Sequence, residues 1–136
     1  MSVTSARKTS QLATAKDPKA ALFEAVGDLS GYDIFHNQIL VAIYVRPNIT
    51  AGGILRPDDN IKEDEYQGKV GLVVKLGPTA FLDTEDEEFH GQTISVGDWV
   101  VFRTGDGWQL NIRDTACRIL NDRTVRMRVK NPGDIF

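Results

Sequence analysis

The chain has 136 residues, 41% of them apolar and 26% charged, with a formal net charge of −3 and a sequence pI near 5.3. That length suits one domain whose folded form buries roughly two-thirds of the surface its unfolded chain exposes. No apolar run approaches the roughly 20 residues of a membrane span, and the acidic balance offers no general basic face for phosphates, so neither a membrane nor a nucleic acid is expected as a partner.

In chain order, residues 1–16, MSVTSARKTSQLATAK, are small, polar and basic, with no apolar period that could form a packed face. They are expected to be disordered alone. Asp17-Pro18 then supplies an N-cap followed by proline at the first helical position, which predicts a short helix through Ala20 to Val26, stopped by Gly27. Beyond the Ser30-Gly31 turn the pattern changes to β-branched and aromatic residues in short runs between turn residues, the signature of an all-β barrel or sandwich. The domain proper is therefore placed from about Tyr32, with residues 1–37 as an N-terminal extension containing one short helix and 38–136 as the β domain.

The first strand is QILVAIYV (38–45), apolar on both faces, hence buried on both, and ended by Pro47. The second is KVGLVVKL (69–76), ended by Gly77-Pro78. The third, SVGDWVVF (95–102), leads through a Gly105-Asp106-Gly107 turn into WQLNIR (108–113), and this pair is expected to be a hairpin. TACRIL and RTVRMRV are the last strand-like segments. In the latter Val125, Met127 and Val129 alternate with Arg126 and Arg128, which predicts one packed and one charged face. Trp99 and Trp108 occupy strand patterns in which an aromatic packs the core, and Cys117, the single cysteine, is expected there too. A lone cysteine forms no internal disulfide and no apolar leader follows Met1, so a cytoplasmic site of synthesis is expected.

Catalytic chemistry is hard to find. His36 and His90 stand beside no serine, cysteine or carboxylate at a spacing that suggests a triad or a metal site, and both read as surface or turn residues. No glycine-rich phosphate loop joins a strand to a helix. DTEDEE (83–88) lacks the oxygen spacing and central glycine of a calcium loop and reads as solvated. No enzyme, metal or cofactor is expected. The stretch that does ask for an explanation is TAGGIL (50–55), where Gly52-Gly53 precedes Ile54-Leu55 and then Arg56-Pro57. Paired glycines are costly to order, and large aliphatics on such a backbone have little core to enter. An ordinary hairpin turn is one reading; an anchor for another protein is the other.

The ordered series Ala51-Gly52-Gly53-Ile54, Gly68-Lys69-Val70, Gly77-Pro78 and Val96-Gly97-Asp98 resembles the GroES-type co-chaperonin family, from about Ile39 to Val129. The resemblance implies a small GroES-like β-barrel that forms a homo-oligomeric ring, usually seven-membered, and caps a chaperonin cage. It implies a mobile loop over residues 48–67 whose partner-binding residues are Gly52, Gly53, Ile54, Leu55, Arg56 and Pro57, entering an apolar groove of the chaperonin. It also implies a roof from about Pro78 to Thr93, here carrying Asp83, Glu85, Asp86, Glu87 and Glu88. Ring symmetry would gather these carboxylates within about a Debye length, near 8 Å, so an open roof is expected.

Two features depart from the family pattern. The apolar anchor tripeptide is here Ile54, Leu55 and then Arg56, which removes one anchor side chain, and the first 37 residues have no counterpart in typical members. They motivate an alternative: a phage virion structural protein, in a capsid decoration, neck or tail, that reuses the GroES-like fold with capsid or tail proteins as partners.

Overall fold

The computed structural model describes residues 17–45, 69–83, 85 and 89–135. Its architecture follows from the first strand, β1 (Gln38–Ile43), in which every residue after Gln38 is buried. Because side chains alternate across a strand, such a run needs cover on both faces. Ile39, Val41 and Ile43 enter one apolar cluster, while Leu40 and Ala42 enter another. With β2 (Val70–Leu76), β3 (Trp99–Val101), β4 (Trp108–Ile112), β5 (Thr115–Asn121) and β6 (Met127–Val129) it forms one antiparallel sheet in the order β4-β5-β1-β2-β3-β6.

The first face closes on itself. In the sheet order β5 and β3 are three steps apart, which in a flat sheet would separate them by about 14 Å. Nevertheless Ala116 and Leu120 of β5 share a cluster with Val100 and Phe102, and the Arg118 guanidinium lies 5.4 Å from the Phe102 ring centroid. The sheet must curl, and a register shift between Leu40 and Val41 in the β1–β2 pairing bends it where the curl is needed. The result is the mostly-β, GroES-like barrel expected.

The second face is covered by the helix α1 (Pro18–Val26). It starts as anticipated, with the Asp17 carboxylate accepting the Ala20 N–H at 3.2 Å, and stops at Gly27, whose N–H donates to Phe23 O at 3.1 Å. Leu22 and Val26 are buried against Leu40, Ala42, Leu72 and Cys117. Two cations fasten the chain that follows: Lys75 Nζ donates to Leu29 O at 2.6 Å, and the Arg113 guanidinium donates to Val26 O and lies 5.7 Å from the Tyr32 ring centroid. The helix is thus packed as part of the barrel's own core. Leu22→Ala is expected to cost about 2–4 kcal/mol by the loss of buried methyl groups. Urea denaturation checks this, and an unchanged midpoint would mean that the helix is only loosely apposed.

Four expectations need correction. WQLNIR does not form a hairpin with the preceding strand: β3 pairs with β2 and β6, whereas β4 pairs with β5. The tight turn lies instead at Arg113-Asp114, both at left-handed φ, 48° and 61°. The Gly105–Gly107 region belongs to a crossing between strands at different places in the sheet, held by Arg118, which is 2% exposed and donates to the Thr104 and Asp106 carbonyls. Burial pushes the Arg118 pKa down, with Asp106 opposing. Second, Trp99 is in the core as expected, but Trp108 is 78% exposed, because β4 is an edge strand. Third, in the closing segment Val125 and Val129 are half-buried but Met127 is 45% exposed, so its packed face is incomplete. SVGDWVVF also shortens to Trp99–Val101, since Val96-Gly97 turns, with Gly97 at φ 99°. Cys117 is fully buried, and His36 and His90 lie exposed in turns.

Candidate functional site

The anchor residues Gly52, Gly53, Ile54, Leu55, Arg56 and Pro57 lie outside the described residues, as does the whole segment 48–67. Its two attachment points are well defined. β1 and β2 are neighbouring antiparallel strands, with Ile43 opposite Gly71 and the Tyr44 N–H donating to Val70 O at 2.9 Å. About two residues would be enough to join them. The sequence places residues 46–68 there instead. Both ends are fixed: Tyr44, Val45 and Val70 are buried, and the Tyr44 ring meets Trp99 edge-on at 5.5 Å. Trp99 therefore acts as a wedge beneath the base of the loop, a role its strand pattern alone does not reveal.

Of the acidic run, Asp83 and Glu85 are exposed, while Asp86, Glu87 and Glu88 lie outside the described residues. The base of this loop is built with care. Gly77 follows β2, and a Cβ there would fall 2.4 Å from His36 O, so only glycine permits the close approach in which its N–H donates to Gln38 O at 2.8 Å. Further on, Phe81 and Phe89 meet edge-to-face at 5.5 Å, so the two ends of the run are brought together. The Phe89 N–H donates to the Asp83 carboxylate at 2.6 Å.

Asp122 holds this base to the barrel. Its carboxylate, on a residue 2% exposed, accepts the Phe81 N–H and the Asn37 side-chain amide, each at 2.9 Å. Its own N–H donates to Asn37 O at 3.0 Å. Sequence reasoning missed it. The available signal was Asn121-Asp122 directly after a strand, where short side chains that bond backbone groups commonly organise a turn; here Asn121 does so, accepting from Arg123 N at 3.0 Å.

The two edge strands carry exposed apolar side chains, Trp108 on β4 and Met127 on β6, with Tyr32 and Phe35 exposed on the segment before β1. Unpaired edges of this kind are templates for pairing with another chain. Among the described residues no cluster of three or more His, Cys, Asp or Glu side chains could hold a metal, and no helix is long and apolar enough to cross a membrane.

No curated protein matches the chain. Over residues 32–127 it matches the family described as Chaperonin 10 Kd subunit. That span covers well over half of the sequence and holds strands β1 to β5, both attachment points of the 46–68 segment and residues 78–93. The chain belongs to the chaperonin 10 Kd subunit family, the GroES-type co-chaperonins.

Proposed function

We propose that the protein is a co-chaperonin ring subunit of the cytoplasm that caps a chaperonin folding cage, docking through the Gly52-Gly53-Ile54-Leu55 segment. The observation that carries this reading is the mismatch at the end of β1: two adjacent antiparallel strands with buried ends are joined by residues 46–68, which hold a glycine pair directly followed by two large aliphatics, Ile54 and Leu55, and a dense run of charge from Asp58 to Glu65. A connector of that length and composition is a binding segment, not a turn. An apolar groove on the chaperonin would receive Ile54 and Leu55, and Arg56 would lie at its margin. The role is one of binding, with no catalytic step.

The test is retention on an immobilised chaperonin with and without ATP. Nucleotide-dependent retention is expected, and none under either condition would overturn the reading. Limited proteolysis gives an independent check: in the isolated protein, cleavage is expected first within residues 48–67, with protection once chaperonin is added. If WQLNIR is cut as readily as this segment, TAGGIL is an ordinary local turn. Light scattering addresses the ring. A stable monomer at micromolar concentration would remove it.

The alternative of a virion structural protein keeps one specific observation in its favour, the helix-bearing segment that precedes the family match and is packed onto the outer face by Leu22 and Val26. It predicts co-purification with capsid or tail proteins and no response to nucleotide.

A further inference from the structure

A cleft of about 450 Å3 lies between the roof-like loop and the segment leading into β6. Phe81, Phe89 and Ile94 line its apolar part, and Arg123, Arg126 and Arg128 line its charged part. Two of these arginines are held in place. The backbone of Arg126 is fixed by its main-chain N–H, which donates to Val101 O at 2.8 Å, and the Arg128 guanidinium donates to Thr93 O at 3.0 Å and lies 3.6 Å from the Asp98 carboxylate. Asp122 is the acidic residue of the lining, but its carboxylate is turned to the Phe81 N–H and the Asn37 amide. The cleft therefore presents cationic groups beside aromatic surface, at the free edge of the sheet, where Met127 stands exposed between Arg126 and Arg128.

Such a surface selects a peptide that carries several carboxylates flanked by large apolar side chains. This chain contains one: Leu82, then Asp83, Glu85, Asp86, Glu87 and Glu88, ending at Phe89, which stays with the cleft of its own copy. Leu82 is 54% exposed and the described carboxylates of the run are exposed as well, so the apolar flank and the charge face outward together. The Asp83 carboxylate accepts the Phe89 N–H, which ties the two ends of the run together. We propose that the cleft is a docking site for the acidic run, residues 83–88, of a second copy of this chain. The proposal rests on the ring reading above and deepens it. Each copy has one cleft and one run, so a closed ring pairs every run with the next copy's arginines. The like-charge repulsion expected among gathered runs is then offset by contact with cations.

The test uses two charge reversals in the full chain, Arg123→Glu with Arg126→Glu, and Glu85→Lys with Asp86→Lys and Glu87→Lys, compared with the wild type by sedimentation and native mass spectrometry. Each variant alone is expected to need about ten-fold more protein to assemble. Their equimolar mixture should regain most of the wild-type assembly, because the acidic cleft of one now faces the basic run of the other at every junction of unlike copies, and a seven-membered ring leaves one junction of like copies. Raising salt from about 50 mM to about 500 mM should weaken wild-type assembly. Assembly of both variants at wild-type concentrations overturns the proposal while leaving the ring intact, whereas a monomeric wild type overturns the ring itself. Recovery only when one chain carries both sets of changes also overturns it, since the run would then meet its own cleft. So does a cleft variant that assembles normally but loses chaperonin retention, which would assign the cleft to an acidic segment of the chaperonin. A synthetic peptide of residues 82–89 repeats the test without substitution: it should inhibit wild-type assembly, and no inhibition at about millimolar concentration overturns the proposal.

Discussion

Leu55→Asp is expected to abolish nucleotide-dependent retention on a chaperonin, and Arg56→Leu to strengthen it. A buried leucine contributes roughly 1.5–3 kcal/mol, and a carboxylate in its place would have to be desolvated in an apolar groove with no partner. Because a ring presents several copies of the loop, the loss at each is multiplied through avidity, and binding should fall below detection. Arg56 has the opposite sign. It stands where the family's anchor is apolar, so Arg56→Leu should add roughly 1–2 kcal/mol per engaged loop before avidity acts. In a virion the same guanidinium would bond a neighbouring carboxylate, and its removal would leave a buried acceptor unpaired, at a cost of roughly 1–3 kcal/mol. The two substitutions are read as chaperonin affinity beside assembled-particle yield. Unchanged affinity with lowered yield for Arg56→Leu would sink the co-chaperonin reading, and tighter binding with normal yield would sink the virion one.

What the sequence made legible was local. The cap at Asp17-Pro18, the stop at Gly27, the doubly buried first strand and the break at Gly77-Pro78 are each decided within a few residues, by an oxygen acceptor, a left-handed backbone or an alternating pattern. What it concealed was which strands become neighbours. WQLNIR follows SVGDWVVF through a glycine turn and looks like its partner, but the chain crosses to the far side of the sheet, and Arg118, buried on β5, holds the crossing together with the bonds between Arg103 and Asp106. Trp108 was misjudged for the same reason. The alternation that buries Trp99 between β2 and β6 cannot by itself tell an edge strand from a central one. Helix α1 shows a further limit: its composition reveals a helix, while the face it covers depends on the barrel beneath it. The anchor residues rest on resemblance alone and lie outside the described residues, whereas Asp122, a single carboxylate at the end of a strand, acquires its role only when folding brings Asn37 and Phe81 to it.

Asp122→Ala is accordingly expected to be the most damaging polar truncation in the barrel. The carboxylate accepts two hydrogen bonds while almost wholly buried, and one of the donors is the Phe81 N–H, on a residue that is itself 8% exposed. Phe81 also sits at φ 60°, a left-handed conformation that a bulky side chain adopts only where its surroundings hold it. Removing the acceptor leaves that N–H without a partner, frees the strained backbone and opens a void beneath the Phe81–Phe89 contact. Bonds to a charged acceptor contribute about 1.5–3 kcal/mol each, part of which relaxation of the half-buried Asn37 amide would return, so a net loss of about 3 kcal/mol is expected. For a chain of this size that corresponds to a fall in Tm of about 10 °C. Asp122→Asn restores the volume but turns an N–H toward one of the two donors, so it should recover only part of the loss. Proteolysis should follow the same order, with new cleavage between Phe81 and Phe89 in the alanine variant. A melting temperature for Asp122→Ala within about 2 °C of the wild type would show that the chain between Phe81 and Phe89 is fastened by the aromatic pair and Gly77 alone, and that the carboxylate is incidental.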